Sequence, residues 1–126
     1  MQDMHDLADR FFAAVEAGDI DTVRDCYDPA VAIWHNTDDL EQTREENLVT
    51  LAGMARRIAD RRYEVLRREV FPGGFVQRHI LHGTRADGVR LTLHACILCS
   101  VADGRITRLD EYFDSAQVAE FRKFAN

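Results

Sequence analysis

Apolar residues at Met4, Leu7, Ala8, Phe11 and Val15 recur at the spacing of one helical face, so residues 4–16 are expected to form an amphipathic helix. Asp3 stands where an N-cap belongs and Gly18 lies just past the end. A second, short helix is expected over 20–27, because Pro29 forbids its continuation. Residues 31–35, β-branched and aromatic, read as a strand. Thr43 to Glu46 has the spacing of a capping box, and Leu48, Leu51, Ala52, Ala55 and Ile58 give the third helix its apolar stripe. Four strands are expected near 63–71, 75–84, 90–101 and 105–113. Their separators, Pro72-Gly73-Gly74, Ala86-Asp87-Gly88 and Ala102-Asp103-Gly104, supply the glycines that tight hairpins need. Asp114 can cap a last helical segment reaching Phe124, with Gln117 placed to reach back.

Helices first and hairpins later make an α+β fold with a mostly antiparallel sheet. At 126 residues the whole chain, 1–126, is read as a single domain with one core. The apolar share of 46% and charged share of 30% are those of a globular chain rather than a disordered one. A formal charge of −6 repels phosphate backbones and anionic membranes, so neither nucleic acid nor membrane is an expected partner. The arginine pairs Arg56-Arg57, Arg61-Arg62 and Arg67-Arg68 are interspersed with acids and read as a solvated face. The acidic start shows no leader pattern, and no apolar run approaches the roughly 18 residues of a membrane span. Cys26, Cys96 and Cys99 are odd in number and sit in apolar segments, which favours reduced thiols and a cytoplasmic location.

The stretch from Phe11 to Asp21 (FFAAVEAGDID) resembles the first helix and turn of ketosteroid isomerases and SnoaL-like proteins. The segment from Ala102 to Asp114 (ADGRITRLDEYFD) resembles the last hairpin of SnoaL-like proteins and limonene epoxide hydrolases. With the element order, these segments resemble the nuclear-transport-factor-2-like (NTF2-like) superfamily over nearly the whole chain. That resemblance implies a cone: three helices packed on a strongly curved sheet, a short C-terminal helical segment, a pocket between the layers, and homodimerisation.

Glu111 alternates with apolar neighbours on one face of the last strand, with Thr107, Leu109 and Phe113. Apolar surroundings raise a carboxyl pKa towards the range that proton transfer near neutral pH requires. Glu111 also falls on the pocket-facing aspartate of the epoxide hydrolases' closing pattern, although a surface glutamate facing an arginine would give the same sequence. In the strand over 75–84, Phe75, Gln77, His79 and Leu81 share one face, and similarity to SnoaL-like strands makes that face the pocket side. A histidine beside a carboxylate suits a general base, so His79 is expected as base and Glu111 as its orienting or acid partner.

Trp34-His35-Asn36 can be read in two registers that exclude each other, because adjacent strand residues face opposite ways. Similarity to epoxide hydrolases puts Trp34 and Asn36 in the pocket; similarity to ketosteroid isomerases puts His35 at the catalytic base. Gln77 and Asn36 are the expected hydrogen-bonding groups for a substrate oxygen, with Phe11, Phe12, Trp34, Leu109 and Phe113 as apolar walls. Phe11 matches the isomerases' oxyanion-stabilising tyrosine without its hydroxyl. Arg78-His79-Ile80 matches the hydrolases' Arg-x-Asp without its acid.

His94-Ala95-Cys96-Ile97-Leu98-Cys99 holds a lone Cys-x-x-Cys whose members face opposite ways in a strand, so no metal site is expected. No nucleotide or covalent-hydrolase motif is present, and no cofactor is implied. The expectation is a cofactor-independent isomerase, cyclase or dehydratase acting on a small, largely apolar carbonyl or hydroxyl compound. The alternatives are a non-catalytic binding or dimerisation module and a water-activating hydrolase.

Overall fold

The computed structural model describes residues 3–124. Helix α1 (Met4–Ala17) starts where the Asp3 carboxylate accepts the amides of His5 and Asp6, and it stops at Gly18, whose φ of 71° few other residues adopt readily. Its apolar face buries Leu7, Ala8, Phe11, Phe12, Ala14 and Val15. Helix α2 (Ile20–Cys26) is capped by Asp19 and gives way to strand β1 (Tyr27–His35) two residues before Pro29. The strand thus begins earlier than the expected 31–35. Pairing with the last strand slips between Tyr27 and Ala32, and that irregularity accommodates a proline that has no amide to donate.

Strand β2 (Leu40–Gln42) was not legible in the sequence; at three residues it is too short for a period. Helix α3 (Arg44–Arg57) has the full capping box between Thr43 and Glu46. Long strands follow: β3 (Ala59–Phe71), β4 (Gly74–Thr84), β5 (Arg90–Ala102) and β6 (Arg105–Phe113), then α4 (Ser115–Arg122), capped by Asp114.

The six strands form one sheet in the order β2-β1-β6-β5-β4-β3. Every neighbouring pair is antiparallel except β1 and β6. Two register shifts between β3 and β4 help the sheet curve around the helices. The larger core cluster joins α1, α2 and the sheet through Phe11, Tyr27, Ile33, Phe75 and Ile97; a smaller one beneath α4 contains Ile58, Leu81, Leu93, Val118 and Phe121. The cavity described below opens between them.

The arginine pairs are not a uniform solvated face. In each pair one member is exposed, Arg56, Arg62 or Arg67, and the other is partly buried, Arg57, Arg61 or Arg68. Arg61 donates to the carbonyls of Glu16, Ala55 and Ile58, at the C-terminal ends of α1 and α3. Helix ends leave such carbonyls without partners, and one guanidinium serves both.

Candidate active site

Sheet register brings the candidate side chains together. Gln77 on β4, Ile97 on β5, Glu111 on β6 and His35 on β1 are consecutive Cα partners in one row across the concave face. His79, Ala95 and Phe113 form the adjacent row. The methyl side chain of Ala95 leaves room for the His79 imidazole to lean toward Glu111. The Glu111 carboxylate lies between two imidazoles, with His35 Nε2 3.6 Å from Oε1 and His79 Nε2 3.8 Å from Oε2. Both separations exceed a hydrogen bond. Among the described residues no donor is bonded to either oxygen, so the carboxylate keeps its lone pairs toward the cavity.

That cavity has a volume of about 120 Å³ and is walled by β1, α3, the sheet and α4. His35, His79, Glu111 and Phe113 line it together with Tyr63 and Leu51. A narrower recess of about 30 Å³ continues inward past Glu111 and Tyr63 to Phe11, Phe12 and Leu109. An apolar cavity of roughly 150 Å³ admits a benzene-sized molecule, which sets the scale of what fits.

A chain of hydrogen bonds behind His79 fixes its protonation. Arg68 can only donate, and its Nε bonds Gln77 Oε1 at 2.9 Å. The Gln77 amide therefore turns its Nε2 toward His79 Nδ1, also at 2.9 Å. With Nδ1 accepting, the neutral imidazole carries its proton on Nε2, which faces Glu111. Burial at 1% exposure, against the ring edges of Phe12 and Tyr63, holds the imidazole below its usual pKa, and the nearby Glu111 charge opposes this only in part. His79 is thus a neutral donor toward the cavity. The nitrogen with which a His79 base would take a proton is engaged by Gln77, whereas both Glu111 oxygens are unbonded among the described residues.

The two registers of β1 are resolved by its ends. His35 faces the cavity, its ring stacked on Phe113 with centroids 5.3 Å apart and planes at 19°. Asn36 does not: its amide exchanges two hydrogen bonds with the Phe113 backbone, at 2.8 and 3.2 Å, extending the parallel pairing past the strand. Trp34 is also outside the cavity, bonded to Asp39 at 2.7 Å and packed edge-on against Tyr112. Gln77 is fully buried and acts from behind His79 rather than lining the cavity. Arg78, matched to the hydrolases' arginine, is exposed on the opposite face of β4.

Two groups were missed. Tyr63 lines both spaces, and its hydroxyl has no hydrogen bond among the described residues; burial and the Glu111 charge raise its pKa strongly, keeping it a donor. Asn47 is buried, accepts the Tyr27 hydroxyl at 2.8 Å and donates to Gln42 at 3.0 Å. A signal for Asn47 was available, since it stands in helical register with Leu51, Met54 and Ile58 as the polar member of an apolar stripe.

Residues 8–109 match the SnoaL-like domain family, which is most of the chain. The chain belongs to the SnoaL-like domain family. No curated protein matches its sequence. Among solved structures, IdmH of Streptomyces antibioticus, put forward as a polyketide cyclase, is similar at a TM-score of 0.84 and 17% identity, over 95% of this chain and 98% of that one. PrhC of Penicillium brasilianum gives 0.84 and 11% over 94% and 84%, and an epoxide hydrolase of the LEH-like type from M. tuberculosis gives 0.75 and 19% over 91% and 85%. At such identities the likeness of this SnoaL-like chain to its neighbours is one of fold, the cone-shaped NTF2-like arrangement.

Proposed function

We propose that this SnoaL-like chain is a cofactor-independent proton-transfer enzyme of isomerase, cyclase or dehydratase type, acting on a small, largely apolar molecule with a carbonyl or hydroxyl group. The observation that carries the reading is the unbonded Glu111 carboxylate between two imidazoles, at the junction of the cavity and its inner recess. In this reading Glu111 takes a proton from carbon next to the substrate carbonyl. The His79 Nε2–H and the Tyr63 hydroxyl donate to the oxygen as negative charge develops there, the place where preorganised donors lower a barrier most. Tyr63 would thus supply from β3 the hydroxyl that Phe11 lacks. His35, held by Phe113, is the second imidazole at the carboxylate and is assigned to relaying the abstracted proton. No nucleic acid or membrane partner is proposed. The outer face of the sheet is assigned to homodimerisation.

The test is deuterium incorporation from D2O next to the carbonyl in a panel of small cyclic ketones and enones, followed by NMR. Wild type should catalyse exchange with at least one compound. Glu111→Gln should lose about 10²-fold or more of that rate, the scale of a removed general base, with KM little changed. Equal exchange by both proteins would remove Glu111 from the mechanism. Including epoxides in the panel separates the water-activating hydrolase, and binding without turnover on every compound would support a non-catalytic module.

A further inference from the structure

Arg57 ends α3 and Arg122 ends α4, and both border the same cavity that holds Glu111. The Arg57 Nε is buried without a hydrogen-bond acceptor. This sets it apart from the other inward-turned arginines: Arg61 is bonded to three carbonyls, Arg68 to Asp9, and Arg85 to Asp87 and Glu120. Neither Arg57 nor Arg122 has a carboxylate partner among the described residues. Asp38 lines the same cavity, but its Oδ1 accepts the Leu40 amide at 3.0 Å, within its own turn. Leaving a buried guanidinium N–H unsatisfied costs roughly 1–3 kcal/mol. A ligand that supplies the missing acceptor recovers that cost.

We infer that Arg57 and Arg122 form an anion subsite, and that the substrate is a small carboxylic acid whose carboxylate meets these arginines while its carbonyl end reaches Glu111. The inference rests on the proton-transfer reading for which end of the substrate reacts. Both chain-wide charge and Glu111 repel anions, so a carboxylate enters only where local positive charge outweighs them, and these two arginines are that charge. Guanidinium groups suit the task, because their planar fork pairs with both oxygens of a carboxylate. Leu81, Leu93 and Phe121 form the apolar wall of this cavity, which fits a hydrocarbon body bearing the acid.

The test compares cyclohexanecarboxylate with cyclohexanecarboxamide, two probes of the same shape and different charge, by titration followed in protein NMR spectra. Wild type should bind the acid about tenfold or more tightly than the amide, the ratio that corresponds to 1.4 kcal/mol. Arg57→Gln should abolish the preference with amide binding kept. The exposed Arg122→Gln, which carries little folding risk, should reduce it. Equal binding of the two probes to wild type, no binding of either, or an unchanged preference in both arginine variants would overturn the subsite. Glu111→Gln separates the two ideas: the acid preference should persist there, so a wild type that prefers the acid but exchanges no proton would sink the reaction alone.

Discussion

The buried amide of Gln77 decides which nitrogen of His79 holds a proton, and that one contact can be inverted. Gln77→Glu would put an acceptor against Nδ1, moving a proton to that nitrogen and stabilising the imidazolium. The His79 pKa, followed by ring-carbon NMR shifts, should rise; no rise would mean that Gln77 does not set the tautomer. The depressed pKa of His79 also makes a statement about stability. The unfolded imidazole takes up a proton near pH 6.5 while the folded one resists it until lower pH. The contribution is therefore fully present above about pH 6.5 and is lost as pH falls from there toward the folded-state pKa. Urea midpoints measured between pH 7.5 and 5 should fall less steeply in His79→Gln than in wild type, and parallel curves would refute the assignment. The alternation of β6 made Glu111 legible in the sequence as an inward residue, whereas in β4 alternation only grouped His79 with Phe75, Gln77 and Leu81, and the resemblance to SnoaL-like strands chose that face. The direction of the proton was not legible, because it depends on Arg68, which joins Gln77 only through the register of β3 with β4.

At the level of elements, the capped helices and the three hairpins followed from sequence because caps and turns are local chemistry. The cavity wall that α3 supplies did not, although Phe113 lines the cavity and Phe11, Phe12 and Leu109 its recess as expected. Leu51 and Met54 belong to the same stripe that packs core, and periodicity cannot say that the space before them is open. The end of β1 was equally hidden, since only the partner strand reveals that Asn36 behaves as a backbone extension. Within α3, Gly53 interrupts an otherwise favourable helix, and a Cβ there would meet the flexible tips of Arg57, at 2.9 Å, and Arg56, at 3.8 Å. Gly53→Ala should gain up to about 1 kcal/mol of helix propensity, seen as a raised Tm. If the substitution lowers Tm, the guanidinium is more firmly held than its lack of partners indicates. Asn47→Ala makes the opposite case: it strips the buried Tyr27 hydroxyl of its acceptor and should cost roughly 1–3 kcal/mol in a denaturant titration.

The convex side of the sheet exposes a short apolar strip set among polar groups such as Arg78, His94 and Asp110. Leu98 and Tyr112 are 43% and 54% exposed, on strands whose opposite face carries Ile97 and Glu111. Light scattering should report a dimer, and Leu98→Arg should shift it toward monomer by placing charge in that strip. A monomeric wild type would leave the strip without this partner.

Ala95 separates what holds the molecule together from what it does. One methyl group stands where His79 crosses toward Glu111, on a strand whose pairing is indifferent to the side chain it carries. A bulkier residue at that point would leave the ladder intact while moving the imidazole farther from the carboxylate than its present 3.8 Å. The cone can therefore gain or lose the approach of imidazole to carboxylate through a single small position, and chains of this shape are free to differ in chemistry without differing in architecture.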